Sequence, residues 1–341
     1  MKFEQVKEIA NAVLFEGYLL YPYRHSAIKN RQRWTIGVVY PQEYSEANGG
    51  IEPCMMRTEC LVRGNEDISL DIHVRFLHLL LCSAMQPGAP SQAQNDSSSA
   101  SEWSLASRLA HEPFEEGIER QISVENVSLR DLLANPRIVE IDFPAQRLVE
   151  DVIVREQRSI TGIIRLSAEA IDEDLFKFIA QIENTTPETA LLANRHNEAL
   201  LQSFVSTHTI LQVKQGEFIS LLEPPEALQA AAQGCQNART WPVLVGSEGE
   251  KDALLSSPII MYDYPQIAPE SPGSLFDGTE IDEILTLRIL TLTEEEKEEM
   301  RQGDARAREI LERTEALTPE QFMKLHGTIR SMKPVMEGEE M

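Results

Sequence analysis

Carboxylates are the residues of this sequence best placed to do chemistry. Asp263, Glu270, Asp277 and Glu280 fall within residues 262–283, a stretch stiffened by Pro265, Pro269 and Pro272. Converging carboxylates could hold a hard cation or act as general acid and base. Two plainer roles compete with that one. Tyr264, Phe276, Asp277 and Glu280 could dock a partner, or the acids could cap and solvate a helix expected at 279–285. A second cluster runs Tyr21, Pro22, Tyr23, Arg24 and His25, followed by Lys29, Arg31, Arg33 and Trp34. Aromatics interleaved with cations would suggest nucleic acid in a basic protein. Here they read as an anchor patch for a protein partner, with Tyr21, Tyr23, Arg24 and Trp34 as its anchors. The alternative is that these aromatics close a core while the cations pair with surplus carboxylates.

Metal and thiol chemistry find less support. Cys54 and Cys60 share a strand face, but six residues of strand span about 20 Å. They read as small buried hydrophobes, as does Cys235. His73 and His78, five residues apart, fall on opposite strand faces. The chain lacks G-x-S-x-G, H-E-x-x-H and a Walker lysine loop. Pro113 spoils the zincin-like start at His111-Glu112, and residues 246–251 read as a turn. No metal and no cofactor are expected, and the enzyme reading ranks below a binding one.

The elements that must position these residues follow from periodicity. Phe3, Val6, Ala10 and Val13 mark an opening helix, with Ile9 and Leu14 widening its apolar stripe and Gly17 as a C′ residue. Alternation predicts strands at 33–40, 54–62 and 68–76, and Gly64-Asn65-Glu66-Asp67 predicts a hairpin that makes 52–81 an antiparallel pair. Further strands are expected at 118–125, 137–143, 158–168, 175–183, 240–245 and 258–262. A second hairpin is expected at Lys214-Gln215-Gly216, between 207–213 and 217–222. Helices should start near Thr186, Pro224, Thr293 and Thr318. The last two carry a capping box, with Glu296 and Gln321 three residues on.

The fold class expected is α+β, with a mixed or antiparallel sheet core and a helical C-terminal segment. Residues 1–84 form the opening helix plus antiparallel strands. Residues 85–102 form a disordered linker or long loop that interrupts one sheet, because they hold almost no large apolar side chains. Residues 103–278 are an α+β region sharing the same core, 279–335 are helical, and 336–341 are an acidic tail.

In 341 residues, 31 basic against 55 acidic groups leave a net charge of −24. Such a surface repels nucleic-acid phosphates and anionic lipid and suits basic partners. The sequence has no run of about 18 apolar residues for a membrane span, and its opening is unlike a secretory signal. A cytoplasmic protein without membrane insertion or nucleic acid is expected.

At YLLYPYRHSAIKNRQRWTIGVVYP, and again at LLSSPIIMYDYPQIAPESPGSLFDGTEIDEILTLRILTLTEEEK, the chain resembles an uncharacterised bacterial family associated with nickel–iron hydrogenase gene clusters. The likeness covers the first forty residues and roughly 200–330. It implies a non-catalytic accessory or scaffold protein for hydrogenase maturation, assembly or stabilisation, binding a hydrogenase subunit or maturation factor. It carries no catalytic residues over to this chain. The histidine-rich tracts and C-x-x-C pairs of nickel-delivery proteins are missing. The competing readings are a metal-dependent or hydrolytic enzyme built on the 263–283 carboxylates, and a structural subunit of a larger assembly.

Overall fold

Alternating apolar residues build one very long strand, β1 (Met55–Ala84), around which the computed structural model is organised. The structure describes residues 2–84 apart from 21, 24–27 and 32; 113–187 apart from 151–152; 196–267; 275; 282–318 apart from 303–304; and 321. In β1, Met56, Cys60, Val62, Ile68, Leu70, Ile72, Val74 and Phe76 all enter the same inner core. Its opposite face carries Leu61 into one outer cluster and Leu77 and Leu79 into another. A strand apolar on both faces must be covered on both, and β1 is.

The strands that follow are β2 (Phe114–Ser128), β3 (Arg137–Phe143), β4 (Gln146–Glu150), β5 (Ile153–Gln157), β6 (Ile160–Ala170) and β7 (Leu175–Asn184). Then come β8 (Val205–Ile219), β9 (Trp241–Leu244) and β10 (Ala253–Ser257). They form one curled sheet in the order β3-β6-β7-β1-β8-β10-β9, with β2 and β5 also on β1 and β4 on β5. Every ladder is antiparallel. Strands from before and after residues 85–112 therefore lie in a single sheet. Phe178, Ile164, Leu166, Leu211, Val213 and Phe218 fill the inside of the curl, and the short helix α3 (Leu129–Ala134) adds Leu129 and Leu132.

Neither expected hairpin forms. Residues 55–62 and 68–76 continue along β1, and 207–213 and 217–219 continue along β8, which pairs over its whole length with residues 61–77 of β1. The two turn signals became a bulge. Gly64 pairs with Gly216, the next pair is Ser69 with Lys214, and residues 65–68 are accommodated opposite Gln215. Gln215 takes a positive φ of 62°, and Gly64 lies at φ 152°.

Two further strand expectations also failed. Residues 33–40 contribute only an isolated bridge, Val39 to Phe204. The strand expected at 258–262 sits instead at Ala253–Ser257, because Pro258 has no N–H to continue the ladder.

Helices cover the outer face. Besides α1 (Lys2–Leu14) these are the short α2 (Gln42–Ala47), α4 (His196–Leu200) and α5 (Gln229–Gln233). The C-terminal set is α6 (Asp282–Leu290), α7 (Glu294–Gln302) and α8 (Ala305–Glu315). α1 lays Val6, Ala10 and Val13 on Ile210, Val243, Ala253 and Leu255. α6–α8 pack Leu285, Ile289, Met300, Ile310 and Leu311 with Leu14, Tyr18, Leu19, Tyr23 and Trp34. The capping box at α7 is formed. Thr293 N–H donates to the Glu296 carboxylate at 2.9 Å, and Glu296 N–H donates to Thr293 Oγ1 at 3.3 Å. Among the described residues no helix is long and apolar enough to cross a membrane. The 85–102 linker, the helix start after Thr186, the final helix beyond Gln321 and the acidic tail lie outside the described residues.

Candidate partner-binding groove

The anchors expected from the sequence go to different places. Tyr23 and Trp34 are 1% and 5% exposed and sit inside the cluster that joins the N-terminal segment to the C-terminal helices. The Tyr23 hydroxyl donates to the Leu275 carbonyl at 3.0 Å, tying residue 23 to the far end of the chain. The cations around them stack in the same cluster. The Arg33 guanidinium lies 4.4 Å from the Trp34 ring, and that of Arg306 lies 4.0 Å from Phe15. Arg33 also donates to the Glu115 carbonyl. These side chains present no free surface to a partner.

Of the candidate residues in the acidic stretch, Asp263 and Tyr264 are described. Asp263 accepts from Leu244 N–H at 2.8 Å and from the Ser220 hydroxyl at 2.5 Å. Tyr264, half-buried, donates to the Glu250 carbonyl at 2.9 Å. Both fasten the chain leaving β10 to its neighbours. Tyr21, Arg24, Glu270, Phe276, Asp277 and Glu280 lie outside the described residues. Among the described residues, no group of three or more His, Cys, Asp or Glu is placed to hold a metal ion.

The buried polar groups are built into the sheet. Arg75, fully buried on the outer face of β1, donates to Glu119 at 2.7 Å and reaches Asn11 of α1. Opposite it in the ladder stands His208, whose Nδ1 lies 2.9 Å from the Ser206 carbonyl. Burial, reinforced by Arg75, holds His208 neutral with its pKa depressed to about 3. His78 pairs with Ile118 of β2 and lies near Phe143, and burial next to Arg120 depresses its pKa to about 4. Glu59, 2% exposed, pairs with Arg57 and Lys177 and accepts from Gln236 N–H at 2.7 Å. Beside it, burial and the Glu59 charge push the Cys235 thiol up to about 11. A thiol so placed is a poor nucleophile.

What does open to solvent is apolar. Between α1 and residues 259–267 lies a groove of about 370 Å³ lined by Ile9, Ala12, Val13, Ile36, Ile259, Met261 and Ile267. α1 supplies one wall because its stripe is wider than its seat on the sheet: Val6, Ala10 and Val13 are buried, while Ile9 is left on the flank. The other wall is the irregular chain after Pro258. There Ile259 and Met261 face inward, while Ile260 and Tyr262 are 71% and 88% exposed. Among the described residues, Glu16 is the charged member of the lining and Gln266 a polar one. Glu8, exposed, falls on the same row of α1 as Ala12, four residues before it, and Glu16 follows just past the end of the helix. The signal legible beforehand was the width of that stripe. The second wall has no periodic pattern and could not be foreseen.

No protein-family model matches the chain, and no curated protein matches it.

Proposed function

We propose that this protein is a non-catalytic accessory or scaffold protein of the cytoplasm that binds a protein partner through the groove beside α1. The partner is a nickel–iron hydrogenase subunit or maturation factor, and the effect is on maturation, assembly or stability of that enzyme. The observation that carries the binding role is an open, mostly apolar groove next to exposed Ile260 and Tyr262, on a chain of net charge −24. Apolar surface of this kind on an acidic, highly soluble exterior marks an interaction site. The hydrogenase assignment rests on the family likeness of the two quoted segments, the second of which contains the groove residues Ile259, Met261 and Ile267. Supporting a binding role over a catalytic one, His78 and His208 are buried and held neutral, and Asp263 is occupied with structural bonds.

The test is co-expression with the large and small subunits of a nickel–iron hydrogenase, followed by size-exclusion chromatography. A stable complex with either subunit or with a maturation factor, lost when Met261→Asp is introduced, is the expected result. Co-elution with none of them, from a folded protein, overturns the hydrogenase reading.

A further inference from the structure

We propose that the groove receives a basic, apolar-anchored segment of the partner, one or two bulky aliphatic or aromatic side chains flanked by Lys or Arg. This rests on the docking reading above and names the chemistry of what docks. The apolar half of the argument is the lining. Aliphatic side chains such as Ile9, Val13, Ile36, Ile259 and Met261 dominate the lining, with Gln266 and Glu16 its polar members among the described residues, so a polar group seated among the aliphatic side chains would lose its hydration with little compensation. At about 370 Å³ the groove sits near the lower end of the roughly 300–1,000 Å³ range of ligand sites, the size of a few side chains.

The basic half comes from the rim and from the whole chain. Glu8, exposed, stands one turn before Ala12 on the α1 wall, where one flank of a bound segment would pass, and Glu16 lines the groove just past the end of α1. Net charge disfavours the other occupants. A second copy would bring another −24 against the first, with the same acidic rim. Nucleic acid, an anionic membrane and a fatty carboxylate meet the same repulsion. A cationic segment is drawn in by the field and held by its apolar anchor once salt screens the charges beyond a Debye length of about 8 Å.

The experiment uses the full chain and three fluorescein-labelled twelve-residue amphipathic peptides, built from Leu and Lys, Ala and Lys, or Leu and Glu. Binding is read by fluorescence anisotropy. The Leu/Lys peptide should bind about tenfold or more tighter than either control, because only it supplies both anchor and charge. Ala12→Trp, which fills the slot, should weaken it about tenfold, and Glu8→Lys by about threefold with a flatter salt dependence. Should Ala12→Trp disturb α1 by circular dichroism, Ile267→Lys on the opposite, exposed wall gives the same test. Equal binding of the Ala/Lys peptide would show attraction by charge alone, and equal binding of the Leu/Glu peptide would show a plain apolar slot. Either result overturns the proposal, as does Leu/Lys binding that neither groove substitution changes. A hydrogenase complex formed without this peptide selectivity would overturn only the proposal. Peptide selectivity without any hydrogenase complex would overturn only the hydrogenase reading.

Discussion

Gly64 of β1 pairs with Gly216 of β8, and this glycine pair marks the point where two long strands change register together. A Cβ on Gly64 would lie 2.9 Å from Ile68 Cδ1 and 3.0 Å from the Gln215 carbonyl. One on Gly216 would lie 2.8 Å from the Arg63 carbonyl and 3.0 Å from Ile68. Backbone on backbone leaves no room for a side chain on either strand. The bulge between Gly64 and Ser69 lets Val62–Phe218 and Leu70–Val213 both point inward, although the two halves of β8 are out of phase.

Gly216→Ala should therefore destabilise by about 1–3 kcal/mol, the usual range for forced overpacking. Gly49→Ala is the complementary case: its φ of 69° strains a side chain while nothing lies within 4 Å of the new Cβ, whereas Gly216 has no positive φ and meets only crowding. Urea midpoints at constant m-value measure both. An unchanged midpoint for Gly216→Ala would show that the close approach of β1 and β8 is not what makes position 216 a glycine.

Acid should weaken this fold before its carboxylates titrate. His78 has a folded-state pKa near 4 against an ordinary 6.5, so the unfolded chain takes up the proton first as pH falls. The stability it contributes is intact above the unfolded value and is lost on the way down to about 4. Between about pH 7 and pH 4.5 that loss is roughly 2 kcal/mol. His78→Leu should have a shallower pH dependence over this window, whatever its stability at neutral pH. An unchanged slope would mean that His78 is not held neutral by its surroundings.

Glu59 organises the loop that carries Cys235. Its carboxylate accepts from Gln236 N–H, while its backbone exchanges bonds with the Asn237 side chain at 2.8 and 3.1 Å. Glu59→Gln should cost about 1–3 kcal/mol by weakening charge-assisted bonds. It should also lower the Cys235 pKa and so speed its alkylation by iodoacetamide at mildly alkaline pH. Slower or unchanged alkylation in the folded variant would contradict the role of Glu59 in raising that thiol.

For Tyr23, the outcome separates a packing role from a binding one. Tyr23→Phe removes one buried hydrogen bond to Leu275 and should cost about 0.5–1.5 kcal/mol. Tyr23→Ala also empties a site between the N-terminal segment and the C-terminal helices, and should cost about 3–5 kcal/mol. Thermal melts would show this directly. A Tyr23→Ala protein of unaltered stability with weakened partner binding would return Tyr23 to the interaction surface.

Much of the architecture was present in local pattern. The alternation from Ile68 to Phe76, the α1 stripe and the Thr293 and Thr318 capping boxes each depend on residues a few positions apart, and each formed. What local pattern could not decide was pairing. Gly64-Asn65-Glu66-Asp67 and Lys214-Gln215-Gly216 are valid turn signals taken singly. They became one bulge because each strand found the other, and β1 gains more buried surface by running on between β7, β2 and β8 than by folding back on itself. The fate of the aromatic cluster was likewise tertiary. Tyr23 and Trp34 carry the composition of an interface, and only the arrival of Leu275, Leu285 and Ile289 from the other end of the chain buries them. The groove lay beyond sequence reading for the same reason. Ile9 and Met261 are some 250 positions apart, and only the sheet formed by the chain between them brings the two to opposite walls of one groove. Net charge needs no such assembly. The acidity that sets the kind of partner this surface attracts is a sum over residues, fixed before any of them meet.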